Sequence, residues 1–217
     1  MYGIINQSIQ ELIIQEFGEE TWLRILNKSG VDVPEFQNHE VYDDAYTYKL
    51  AGATAQVLDT TVNNVLKLFG EFWIVEISQK KYPNLMASGG MNLKDFMLNL
   101  PNFHNRVYLT YPQLVAPEFK VYEDETSILV EYHSKREGLA PMMMGMLEGI
   151  LKCFGETVKK VEQVYSKSID GPDHHSYSNR WLYQVQKWVL IDQFGQYRSF
   201  QVNSHSLLNQ SVKAQLL

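Results

Sequence analysis

The hydrophobic period of this chain changes at Pro117, which argues against both an all-helical and an all-strand architecture. Before that point apolar residues recur every three or four positions, the spacing of amphipathic helices. Residues 3 to 17 place Ile4, Ile5, Ile9, Leu12, Ile13 and Phe17 on one stripe, with Gln and Glu between them. Glu20 to Asn27 reads as a short second helix around Trp22, Leu23, Ile25 and Leu26, and Val31 to Glu40, with Pro34, as a loop. Tyr42 to Leu58 and Thr60 to Ser78 read as two more helices. Tyr82-Pro83 and Gly89-Gly90 then punctuate the chain, and a helical pattern resumes near Asn92. After Pro117 the period is two. Phe119 to Tyr122 and Ser127 to Arg136 alternate as strands on either side of the acidic turn Glu123-Asp124-Glu125. Pro141 to Phe154 is helical again, and Thr157 to Ser166 and Ser176 to Trp188 read as strands joined through residues 168–173. The expected class is α+β: a helical N-terminal subdomain, then a small antiparallel sheet with covering helices. No repeat or linker interrupts residues 1–186, which are expected to form one domain. Residues 187–217 are a Gln/Ser/Asn-rich extension or linker whose role stays open.

Composition narrows the function classes. The chain has 217 residues, 45% hydrophobic and 20% charged, enough apolar material for a core. Nineteen Lys and Arg against 25 Asp and Glu leave a net charge of -6, with no electrostatic drive toward nucleic acid or anionic membrane. Cys153 is the only cysteine, so disulfide frameworks, CxxC metal or redox motifs and the CxxCH haem attachment are excluded. That residue is expected to be a small buried hydrophobe. The longest apolar stretch, Pro141 to Phe154, contains Glu148 and Lys152 and is too short to span a bilayer. The N-terminus has no basic leader region, and a soluble, cytoplasmic protein is expected. His174 and His175 are neighbours on a predicted strand and face opposite ways, which makes them a poor joint metal site.

Two constellations carry chemistry. In MNLKDFMLNLPNFHNRVYLTY the apolar face runs Leu93, Phe96, Met97, Leu100, His104, Val107, Tyr108 and Tyr111. His104 therefore points where a core residue should point. A hydrogen-bonded core histidine is the plain reading; an axial nitrogen in an apolar wall is what a buried haem requires. The second constellation is Tyr132-x-Ser134-x-Arg136. Residues two apart on a strand share a face, so two hydroxyls and a guanidinium form a row of about 13 Å. Such a row is either an exposed polar strand end or a clamp for a large ligand with carboxylates, since Arg forks onto a carboxylate and hydroxyls complete the donor set. A porphyrin with two propionates fits it.

Taken together and in this order, the two resemble the H-NOX family of haem nitric oxide/oxygen binding domains. The similarity runs over residues 1 to 186. It includes MYGIINQSI, Phe69-Gly70-Glu71-Phe72-Trp73, Asn99-Leu100, Tyr111-Pro112, Ala116-Pro117, the stretch from Tyr132 to Leu139, the Met-rich helix with Gly145, and Asp173-His174. The general look is similar to cyanobacterial members and to the haem domain of the soluble guanylate cyclase beta subunit. The resemblance implies a non-covalent haem b buried between the helical part and the sheet, with His104 as the iron ligand and Tyr132, Ser134 and Arg136 on the propionates. It implies that Pro117 presses on the porphyrin and Ile5 packs on the opposite side. The place where oxygen-holding members carry a tyrosine is filled by Met142, and Ile9 and Trp73 match the other pocket-lining places. That set favours nitric oxide and carbon monoxide, with release of His104 as the signal. The implied partner is a histidine kinase, a cyclase or a chemotaxis-type protein. Oxygen sensing on the same fold, with Trp73 as donor, is the alternative. A non-haem enzyme using His104 as base and Arg136 as carboxylate anchor lacks a second titratable group to share the work.

Overall fold

The computed structural model describes residues 1–33, 35–123, 127–155, 158–171 and 174–185, the last two stretches as backbone. Pro117 does divide helix from strand. The N-terminal stripes become α1 (Gly3–Phe17), α2 (Glu19–Ser29), α3 (Asp44–Val57) and α4 (Val62–Phe72). Their ends are set by local chemistry. Asp43 accepts from the Ala45 N–H at 2.8 Å and Thr61 from that of Asn64 at 3.2 Å, so each caps a helix N-terminus. Gly30 closes α2 in the left-handed region at φ 62°.

The helix expected over Thr60 to Ser78 does not stay α-helical. Trp73–Ser78 is a π turn, and the Ser78 hydroxyl donates to the Trp73 carbonyl at 2.9 Å. Short α5 (Gln79–Lys81) and α6 (Pro83–Ala87) follow. The pattern from Asn92 onward splits at Asn99 into α7 (Leu93–Leu98) and α8 (Leu100–Thr110). Pro101 has no N–H to continue the ladder of α7, and the Asn99 amide donates to the Gly89 carbonyl at 2.8 Å.

The strands are β1 (Glu118–Glu123), β2 (Ser127–Ser134), β3 (Val158–Gly171) and β4 (His174–Val185), with α9 (Ala140–Cys153) between β2 and β3. They form one antiparallel sheet in the order β1-β2-β4-β3, with Phe119 opposite Tyr132. β2 ends at Ser134, earlier than the alternation suggested. Arg136 sits in the bend that follows, where its N–H donates to the Ser134 hydroxyl at 3.0 Å. β3 runs on to Gly171 because its pairing with β4 persists to Gly171 opposite His174. Pro34, the acidic turn at 124–126, residues 172–173, the extension 187–217 and the side chains of His174 and His175 lie outside the described residues.

Among the described residues a small third cluster of Tyr2, Ile4 and Tyr111 forms beside two large apolar cores. One joins α1 to α4 around Leu12, Ile25, Leu50 and Phe69; the other joins α7, α8, the sheet and α9 around Phe96, Val130 and Leu147. Trp73 packs against both. Cys153 is a correction: as the last residue of α9, beyond the packed stripe that ends at Leu151, it is exposed. Among the described residues no helix is long and apolar enough to cross a membrane.

Candidate functional site

A cavity of about 180 Å³ is bordered by the start of α1, the π turn, α8, β2 and the start of α9. A second, of about 140 Å³, shares Trp73, His104, Val107, Tyr111, Met143 and Met146 with it. His104, Tyr132, Ser134 and Arg136 all line the first cavity. So do Ile5, Trp73, Pro117 and Met142. Ile9 does not: one turn further along α1, it is buried in the helical core, and Ile4 reaches the cavity wall instead. Met143 and Met146 also reach the wall.

α8 delivers His104. Its Nδ1 lies 3.2 Å from the Leu100 carbonyl, which can only accept, so Nδ1 carries the proton and Nε2 keeps a lone pair. Burial pushes the imidazole pKa down to about 4, despite the opposing carbonyl bond, so the ring is neutral at pH 7. Phe119 from β1 packs on it at 4.3 Å between centroids and Phe103 at 5.8 Å. Phe119 escaped the sequence reading, since a strand register sets its neighbour.

Three polar residues of the lining come from one short stretch of chain, residues 132–136. Tyr132 is buried against Phe119 at 5.5 Å, and burial raises its pKa, so it is a neutral phenol. Ser134, the last residue of β2, is buried beside it. The Arg136 guanidinium donates from Nε to Asp44 at 2.6 Å and from Nη1 to the Val115 carbonyl at 2.8 Å. Asp44 also accepts from the N-terminal ammonium, which donates to the Tyr42 carbonyl at 2.7 Å as well. Partial burial opposes the charge of Asp44, yet the bonds from Arg136 and the amine outweigh it and hold the carboxyl below the usual range. Asp44 is a site residue that no motif revealed.

Across the cavity from these groups the chain packs very closely. A Cβ on Gly145 would stand 1.8 Å from the Lys67 carbonyl oxygen, and one on Gly70 would stand 2.0 Å from that of Met142. Only glycine allows α4 and α9 to meet this way, which brings Trp73 and Met142 to the same cavity.

With that geometry in hand, the comparisons with known proteins become decisive. A family model for haem-NO-binding domains matches residues 2–162. This chain belongs to that family. The haem-NO-binding domain is 31% identical over 157 residues to soluble guanylate cyclase gcy-32 of Caenorhabditis elegans, covering 70% of this chain and 23% of that protein. It is 26% identical over 155 residues to soluble guanylate cyclase 89Db of Drosophila melanogaster, covering 71% and 23%. The chain thus spans less than a quarter of the length of these cyclases. Among solved structures, a Cs H-NOX variant superposes with a TM-score of 0.75 at 20% identity, over 87% of this chain and 98% of that one. An oxygen-binding H-NOX domain related to soluble guanylate cyclases gives 0.72 at 20% identity, over 92% and 100%. These neighbours establish the fold.

The haem-NO-binding domain is a gas-sensor module with a non-covalently held haem. The residues fit that group on their own chemistry. Among the described residues no three or more His, Cys, Asp or Glu gather to hold a bare ion. A lone imidazole nevertheless suffices for an iron that arrives already held by porphyrin nitrogens. The walls are mostly apolar, and residues 132–136 bring two hydroxyls and a guanidinium to them, the donor set that the carboxylates of a flat apolar ligand require.

Proposed function

We propose that this domain senses nitric oxide, with carbon monoxide as a second ligand, and reports nitric oxide by letting go of His104. The observation that carries the reading is a single apolar cavity whose lining brings the His104 imidazole together with Tyr132, Ser134 and Arg136. His104 would ligate the iron through Nε2, which the Nδ1 bond to Leu100 leaves with its lone pair. Tyr132, Ser134 and Arg136 hold the propionates, with Asp44 setting the plane of the guanidinium. When bound, ferrous haem would supply the site for the gas and a bond to His104 that nitric oxide weakens. Every other part belongs to the chain. Pro117 and Ile5 line the cavity and would border the ring. Met142, with Met146 and Ile4, lines the cavity without a donor, and oxygen gains most from a buried donor because it carries partial negative charge when held. The Tyr111 hydroxyl is engaged with Tyr82, and that of Tyr2 accepts from the Gln113 N–H at 3.0 Å.

Once His104 lets go, α8 loses a tether and takes up a new position relative to the sheet. A cytoplasmic partner (a cyclase, a histidine kinase or a chemotaxis-type protein) that prefers one arrangement reads that shift. Absorption spectra under argon, air and nitric oxide test the reading. The protein is expected to be red, with a Soret band that His104→Gly abolishes and added imidazole restores. A chain that stays colourless after reconstitution with hemin overturns the site. Retention of His104 in the ferrous nitrosyl protein at every nitric oxide level overturns the release step. Oxygen sensing is the second reading, favoured by the Trp73 indole at the cavity. It predicts a stable ferrous-oxy spectrum in air that Trp73→Phe removes.

A further inference from the structure

Tyr2, Tyr82 and Tyr111 come from three separate elements and meet ring on ring. Tyr111 stands edge-on to Tyr2 with centroids 4.8 Å apart and to Tyr82 at 6.4 Å, and the hydroxyls of Tyr82 and Tyr111 are hydrogen-bonded. Each stands on the same run of chain as a cavity residue. Tyr2 precedes Ile5, Tyr82 ends the helical run that carries Trp73, and Tyr111 caps the helix that carries His104.

Tyr111 also stacks on His39 at 5.7 Å and joins a small cluster with Tyr2 and Ile4, but the rest of the far end of α8 is sparsely buried. Its buried residues are Leu100 and Phe103, both on the near side of His104. Beyond His104, Val107 is half-buried, while Tyr108 is 48% exposed and Leu109 82%. Arg106 donates to the Ser88 carbonyl at 2.6 Å, which ties the middle of the helix to the α6 end. Tyr111, at 8% exposure, is the well-buried anchor of the C-terminal end.

We propose that the Tyr82–Tyr111 hydroxyl pair is a latch that fastens the end of the His104 helix to the end of the Trp73 helix and sets how readily α8 moves. The latch rests on the release reading above for its part in signalling. Tyr82 and Tyr111 are positioning residues for His104. One phenol donates and the other accepts, so phenylalanine at either position keeps the ring packing and removes the bond. Burial and the shared bond both push the Tyr82 pKa up, so that phenol stays protonated at ordinary pH.

Backbone hydrogen exchange of the gas-free, haem-loaded ferrous protein tests the latch without any release of His104. Amides of residues 107–111 are expected to exchange about three- to tenfold faster in Tyr82→Phe and in Tyr111→Phe. The double variant should exchange no faster than either single one, because both remove the same bond. Unchanged exchange, or effects that multiply in the double variant, overturns the latch. A nitric oxide titration supplies the second readout, the fraction of protein in which His104 has let go at limiting gas. That fraction should rise in both single variants. An equal fraction with faster exchange overturns the latch's control of release. Wild-type protein that retains His104 throughout overturns the release reading and, with it, the latch's part in signalling.

Discussion

The two helices that face each other across the cavity are built in opposite ways. α9 buries Met142, Met143, Gly145, Leu147, Gly149, Ile150 and Leu151, whereas α8 buries Leu100 and Phe103. α9 meets α4 with their backbones in contact, and two ion pairs cross that seam, Lys67–Glu148 at 3.0 Å and Lys152–Glu71 at 2.5 Å. α8 is held by a polar bond at its start, another at its middle and one buried tyrosine at its end, with an exposed outer face. Stability therefore differs between the walls, and local opening follows the sparse one. A sensor needs a wall that stays still and a wall that answers. Here the candidate iron ligand stands on the second, and the residues that shape the gas pocket stand on the first.

The sharpest way to break that contrast is at the seam. A methyl group on Gly145 collides with a backbone carbonyl oxygen of α4, not with the tip of a flexible side chain, so the helices must separate. Gly145→Ala is expected to destabilise the fold by about 3 kcal/mol, the upper part of the overpacking range, as read by denaturant unfolding. A loss under about 1 kcal/mol would mean that α9 yields as easily as α8, and the two walls would no longer differ. Gly70→Ala strains the same seam, so the double variant should cost less than the two single losses combined.

A smaller effect is expected where α3 meets Arg136. Asp44→Asn leaves Arg136 with the Val115 carbonyl and weakens the hold on the N-terminal ammonium. The group is about a third exposed, so solvent screening keeps the expected stability loss near 1 kcal/mol. Its pH dependence gives the sign. The folded carboxyl is held below the usual value of 3.8, so its contribution is complete above that pH and is lost as pH falls through the lowered folded value. The stability gap between wild type and Asp44→Asn should be constant from pH 7 to about pH 5 and close below pH 4. A gap that closes nearer neutrality would remove Asp44 from the role. Haem transfer to an acceptor globin should also quicken severalfold in Asp44→Asn if the carboxylate orients the guanidinium.

Much of this architecture was readable beforehand because hydrophobic period maps directly onto helix faces and strand faces. The break at Pro117, the helical runs and the β1–β2 pair follow from it. Tyr132 and Ser134 do alternate along one strand and both line the cavity. Arg136 was found for a reason that does not hold, since the strand ends before it and a Ser134-capped bend aims its side chain. The π turn was hidden because its apolar spacing differs little from that of an α-helix over so short a run. Asp44 was hidden because an acidic residue in a first helical turn reads as a solvated charge beside the helix dipole. Its partner is 92 residues away. Cys153 was misjudged in the same manner, read as buried from the apolar turn around it and found exposed. Periodicity gives a face, but how far along a helix its neighbour extends is a tertiary fact.

The smallest expected effect tests the mobile wall directly. Leu109 is a large apolar residue on α8 that is 82% exposed, and Tyr108 beside it is 48% exposed. If α8 is covered only along its inner edge, Leu109→Gln removes almost no buried contact. It keeps a side chain of similar length and good helix propensity. Unfolding free energy should then change by less than about 0.5 kcal/mol, and the ferrous spectrum should be unaltered, since Leu109 lies more than a turn past His104. A loss of 1 kcal/mol or more would show that the outer face of α8 is packed in solution. The helix would then be restrained on both sides, and the difference between the two walls would have to be sought in their response to ligand instead of in their burial.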